Sequence, residues 1–258
     1  MLYAKRFASV LDTGDATLLL NLPGTRSREI ALVALANLAK FQGRYERFQE
    51  LKKRYDLKWS TSNSTQYFER FFNEELTLDV MLQRIRGMIR VLPENMGRIV
   101  KYGCLVGLRA SEIIESVRLL NGDATTSTRR YFNPERQALE HFRFPQIFIR
   151  QTKKAYISFI TKEQLSAIGI LGCKTLVPTT LNAITLACRR NGIKMEMHLT
   201  RKIFASWLRK EGIQPEIVDM LQGRVSQSVL TRHYLVPQSS LKDQVLQALE
   251  NLQRAIAY

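Results

Sequence analysis

Apolar residues recur at helical spacing along most of the 258-residue chain, and only one stretch has the texture of strands. Residues 28–56 read as helix, with Ile30, Val33, Ala34, Asn37 and Phe41 tracing one face and Gly43 dividing the run in two. The cluster WSTSNST at 59–65 reads as a linker, so a boundary is expected near residue 65, between a small helical unit (1–65) and a larger one (66–258). Helical patterning resumes from Leu76, with Thr77 as N-cap, Asp79 in the first turn, and Pro93 interrupting before the next helix. Ser111, just before Glu112, marks a further start. Between 142 and 160, FRFPQIFIRQ and AYISFIT are rich in Phe, Ile and Tyr, which predicts a β-hairpin with Thr152, Lys153 and Lys154 near its tip.

Helices return around TLNAITLACRRNG, TRKIFASWLRKEG and QPEIVDMLQGR, with Gly192, Gly212 and Gly223 as C-terminal stops. In the last segment Leu241, Val245, Leu249, Leu252 and Ile256 form one stripe, an amphipathic helix that needs a partner surface. The expected fold is mainly α with a small antiparallel β-hairpin.

Charge sharpens this picture. Lys and Arg number 39 against 23 Asp and Glu, a formal charge of +16, which is the footprint of a polyanion binder. Nucleic acid is the first candidate; a membrane surface fits less well, because the basic residues are dispersed among helices. No run approaches the roughly 18 unbroken apolar residues of a membrane span. Asp12 and Asp15 interrupt the start of the chain, so no secretory signal is expected and the location is read as cytoplasmic, associated with the nucleoid. Cys104, Cys173 and Cys188 are scattered and fit neither a zinc pattern nor a disulfide framework. Neither metal nor cofactor is expected.

Candidate chemistry begins at HLTRKIFASWL. His198 and Arg201 stand three apart on one helix face, with Lys202 and Arg209 nearby, while Leu199, Ile203, Phe204 and Trp207 take the other. In isolation that is a solvated face; with company it is a face that calls for an anion. Arg109 lies in the small-residue turn GCLVGLRASEI, Lys153 and Lys154 at the hairpin tip, Arg224 after the glycine of MLQGR, and Tyr234 in TRHYLVP.

Taken in order, Arg109, Lys153, His198-x-x-Arg201, Arg224 and Tyr234 resemble the active-site series of tyrosine recombinases, over residues 76 to about 236. The segment ALVALANLAKFQGRYERFQELKKRYDLKWS is similar to the helical core-binding region of archaeal integrases from fuselloviruses and integrative plasmids. Two departures stand out. Arg224 occupies a slot more often held by histidine, and the gap to Tyr234 is one residue longer than in many bacterial members; His233, next to the tyrosine, reads as flanking. Lys153 is preferred to Lys154 as the hairpin lysine.

The resemblance implies a site-specific recombinase that breaks a phosphodiester without metal. Tyr234 would be the nucleophile; Arg109, Arg201 and Arg224 would grip phosphate oxygens with forks that lysine lacks. Lys153 would protonate the leaving 5′ oxygen, and His198, with a reference pKa of about 6.5, would take the tyrosine proton. It further implies double-stranded attachment sites as partners, a DNA-clamping role for 1–65, and a tetramer on two duplexes in which helix 240–257 docks on its own protomer or a neighbour. A type IB topoisomerase and an inactive DNA-binding relative remain as alternatives.

Overall fold

The computed structural model describes residues 2–22, 25–58, 77–122, 130–150, 153–173, 176, 179–224 and 240–257. Its contacts fall into two units, Met1–Glu74 and Glu75–Tyr258. The linker expected at 59–65 lies outside the described residues.

The first unit contains α1 (Leu2–Thr13), α2 (Thr17–Leu20), α3 (Thr25–Phe41) and α4 (Tyr45–Arg54). Gly43 does lie in the turn that separates α3 from α4. Phe7, Val10, Leu11, Leu19, Phe48 and Leu51 build the core, and α3 packs on α1. The face expected for α3 is the wrong one. Ala31, Leu32, Leu35, Ala36 and Ala39 are buried, whereas Ile30, Val33 and Phe41 are exposed, Phe41 at 89%. A helix apolar on nearly every side has no single stripe for its period to report; the three alanines decide, because their small side chains let α1 approach.

The second unit opens on α5 (Leu78–Val91), capped by Thr77, whose hydroxyl accepts from Val80 N at 3.3 Å. Next, α6 (Glu94–Val106) follows Pro93, and its residues Ile99, Val100, Tyr102, Cys104, Leu105 and Val106 are all buried. The helix α7 (Ala110–Asn121) begins ahead of the predicted Ser111 start, because Arg109 is the N-cap and Glu112 reaches back to its N–H. That is the acidic half of a capping box.

Two short strands follow, β1 (Phe132–Asn133) and β2 (Ala138–Glu140), then a 3-10 turn (His141–Arg143) and α8 (Pro145–Phe148). The lysine hairpin is β3 (Ile149–Arg150) paired antiparallel with β4 (Lys153–Lys154), with Arg150 opposite Lys153. It is shorter than the 142–160 pattern suggests. Pro145, with no N–H to give a ladder, starts a helical turn instead. The later arm, β5 (Ile157–Phe159), leaves the hairpin and pairs with β2, Leu139 opposite Ser158, in an antiparallel sheet of order β1-β2-β5.

The remaining helices are α9 (Lys162–Ile168), α10 (Leu181–Arg190), α11 (His198–Lys210), α12 (Pro215–Leu221) and α13 (Leu241–Ala257). Gly192, Gly212 and Gly223 sit in the turns after α10, α11 and α12, as their sequence context predicts. The helix α11 packs on α5 and α6, and α13 covers all three. Val245, Leu249, Leu252 and Ile256 of the predicted stripe are buried and Leu241 is half-buried. Side chains pin α13 to its own chain: Trp207 Nε1 donates to Ala248 O and Arg86 Nε to Ala255 O, both at 2.9 Å, and Asn251 Nδ2 donates to Glu211 Oε2 at 3.0 Å. The whole is mainly α with a small antiparallel sheet, the class the sequence predicts. Among the described residues no helix is long and apolar enough to cross a membrane.

Candidate active site

Arg109 stands where α6 ends and α7 begins. Gly107 turns the chain at φ 61°, and a Cβ there would lie 2.5 Å from the Phe204 ring, so only glycine lets the turn lie flat on α11. Glu112, fully buried, then accepts from both the Arg109 main-chain N–H and its guanidinium, each at 3.0 Å. The carboxylate aims the arginine while sparing most of its fork.

Arg201 reaches the same place from α11, one turn before Phe204. Its Nη1 donates to Gly107 O at 3.1 Å and its Nη2 to Gln222 O at 2.7 Å. Gln222, 1% exposed, donates in return through Nε2 to Arg201 O at 2.7 Å. The guanidinium therefore bridges the turn before Arg109 to the turn before Arg224. Burial above all, then repulsion from Arg109 and Arg224, pulls its pKa down to about 10, with Glu112 and Asp219 opposing. It is still charged at neutral pH.

Arg224 is more exposed and pairs with Asp219 at 3.2 Å. Glu112 and Asp219 answer Arg109 and Arg224, while among the described residues no carboxylate comes within ion-pair distance of Arg201. A desolvated cation with carbonyl partners only, flanked by two more cations, has the chemistry to take an anion.

The hairpin closes on this group at Gly223. With φ 72°, a Cβ at that position would lie 2.5 Å from Lys154 O, so the backbone of β4 touches the turn that presents Arg224. The lysine strand is thus part of the same cluster; the Lys153 side chain lies outside what is described, and Lys154 is exposed. His198 is the first residue of α11 and exposed, one turn from Arg201. Tyr234 lies outside the described residues.

The structure thus brings Arg109, Arg201 and Arg224 together, with the β4 backbone against the third and His198 on the helix of the second. Two contributors escaped the sequence reading. Glu112 carried a signal, an acid three positions after an N-cap. Gln222 carried none, since a polar residue between a leucine and a glycine looks like any turn. Among the described residues no group of three or more His, Cys, Asp or Glu could hold a metal ion.

Arg109 and Arg224 from two turns flank the half-buried Arg201 of α11, a cluster of cations suited to a phosphate. The chain belongs to the archaeal phage integrase family, whose model matches residues 94–248, from the first residue of α6 into α13. That membership assigns an integrase role with DNA as the substrate. No curated protein and no solved structure matches the chain.

Proposed function

We propose that this chain is a tyrosine-type site-specific recombinase that cleaves and rejoins DNA through a 3′-phosphotyrosyl intermediate, integrating or excising a mobile element. The observation that carries the reading is Arg201, desolvated, repelled by two neighbouring cations, and tied to carbonyls only. A scissile phosphate between Arg109, Arg201 and Arg224 relieves that repulsion, and the more so as charge builds up in a phosphorane-like transition state.

Tyr234 Oη attacks the phosphorus and its proton passes to His198. The bond from phosphorus to O5′ breaks as Lys153 supplies the proton that makes a free 5′ hydroxyl. Arg224 holds phosphate but is a poor base, which leaves the proton work to His198 and Lys153. The phosphoester energy stays in the protein–DNA bond, so a different 5′ hydroxyl can reverse the step without ATP. Residues 1–65 clamp the duplex, four protomers join two duplexes, and the +16 charge makes binding fall steeply with salt.

The test is a nicked suicide duplex carrying the attachment site. Wild type should accumulate a covalent adduct that Tyr234→Phe does not form; wild type without an adduct overturns the reading. Relaxation of supercoiled DNA with no exchange between two duplexes would mark a topoisomerase instead.

A further inference from the structure

Behind the arginines runs a buried chain of polar side chains that the proposed chemistry does not use. Tyr102 Oη, on α6, is hydrogen-bonded to Ser116 Oγ on α7. Tyr131 Oη lies 2.7 Å from Ser116 Oγ and 2.9 Å from His141 Nδ1. His141 Nε2 is 2.8 Å from Ser158 Oγ on β5, and Ser158 Oγ donates to Val106 O at 3.1 Å. The five side chains are at most 3% exposed.

Proton accounting gives the chain a direction. The Val106 carbonyl can only accept, so the single Ser158 proton goes there. Ser158 Oγ must then accept from His141 Nε2–H, while Tyr131 Oη donates its one proton to Ser116 Oγ and lies 2.9 Å from the ring's Nδ1. Burial agrees, holding the His141 pKa down at about 3 and so keeping the ring neutral.

The end of this chain is the point of interest. Val106 closes α6, where helix carbonyls lack partners of their own, and three residues later comes Arg109. Three elements hold that turn: Ser158 from the sheet at Val106 O, Arg201 from α11 at Gly107 O, and Glu112 from α7 at Arg109 N. Ser158 also lies on the strand that leaves the lysine hairpin.

We propose that Ser158, aimed by His141 and Tyr131, is a positioning residue that sets the Arg109 turn relative to the lysine hairpin, so that phosphate and proton donor meet in register. This rests on the recombinase reading for its kinetic consequence, though not for its geometry.

Two measurements test it. In ligand-free protein, 15N NMR should show His141 protonated at Nε2, and Ser158→Ala should shift the backbone amides of Gly107 and Arg109. An Nε2 without a proton, or unmoved amides, overturns the proposal whatever the protein does to DNA. In single-turnover cleavage, Ser158→Ala should lose about 10- to 100-fold in rate, the scale of a misplacement near 1 Å, at unchanged DNA affinity. Ser158→Thr, which keeps the hydroxyl, should recover most of the rate, and Tyr131→Phe, the milder change, should fall between. Loss of rate only in proportion to loss of folded protein would make the chain merely structural and overturn the proposal. A wild type that cleaves nothing would remove the recombinase reading and leave the NMR to decide this one.

Discussion

Arg201 and Gln222 hold each other twice: the guanidinium donates to the Gln222 carbonyl and the Gln222 amide donates to the Arg201 carbonyl, both at 2.7 Å. The pair joins α11 to the turn that carries Arg224. Gln222→Ala removes one bond and frees the turn that accepts the other. Expected is a stability loss of about 1–3 kcal/mol, read by urea unfolding, because a buried donor or acceptor without its partner bears the full desolvation cost.

Gly223→Ala should be worse than its size suggests. The added Cβ meets Lys154 O at 2.5 Å in a backbone of φ 72°, so the hairpin or the Arg224 turn must retreat. We expect a loss of about 1–3 kcal/mol in thermal or urea unfolding. Gly87→Ala is the control. It lies in α5 with nothing within 4 Å of its Cβ, and should gain about 0.5–1 kcal/mol as a helix-interior glycine replaced by alanine.

His141 predicts a pH dependence. Its pKa falls from 6.5 to about 3 on folding because burial penalises the charged ring. The unfolded chain therefore binds a proton that the folded one refuses, and stability declines as pH drops from 6.5 toward 3, by at most about 1.4 kcal/mol per unit. His141→Phe should flatten the slope of unfolding free energy in that window, even if it starts from a less stable protein.

An anion should stabilise the ligand-free enzyme through Arg201. Phosphate taken up by the folded cluster and not by the unfolded chain should raise Tm, with a gain of about 1.4 kcal/mol at ten times the dissociation constant. In Arg201→Ala the rise should shrink to that of any excluded salt. Equal gains in both proteins would count against an anion site here.

The C-terminal helix is held by Trp207, Glu211 and Arg86, and Arg86 on Ala255 is the contact nearest its end. Arg86→Ala should speed hydrogen exchange over the last turns of α13 while the amides near Ala248, fixed by Trp207, keep their protection. Faster exchange along the whole helix would mean that the Trp207 contact holds nothing alone.

Much was legible from local pattern. Thr77 caps α5, Pro93 precedes α6, and the stripe from Val245 to Ile256 is buried, because caps, proline and helical period act through near neighbours. Failures came where the decision was not local. Ile30, Val33 and Phe41 satisfied the period but lost the core to Ala31, Leu32 and Leu35, since only the approach of α1 chooses between two apolar faces. Ile157–Phe159 looked like a hairpin arm and joined β2 instead.

For the candidate site the division is similar. Sequence alone supplied the residue types, their order and the spacing of His198 and Arg201, because forked cations, a titratable ring and a helical repeat are properties of residues and near neighbours. Tertiary structure decided that Arg109, Arg201 and Arg224 share one pocket of charge, that Glu112 and Gln222 aim two of them, and that a buried imidazole stands behind the first. Those relations depend on desolvation and on contacts across as many as 94 positions of chain, from Gly107 to Arg201, and neither can be read from a residue's neighbours along the sequence.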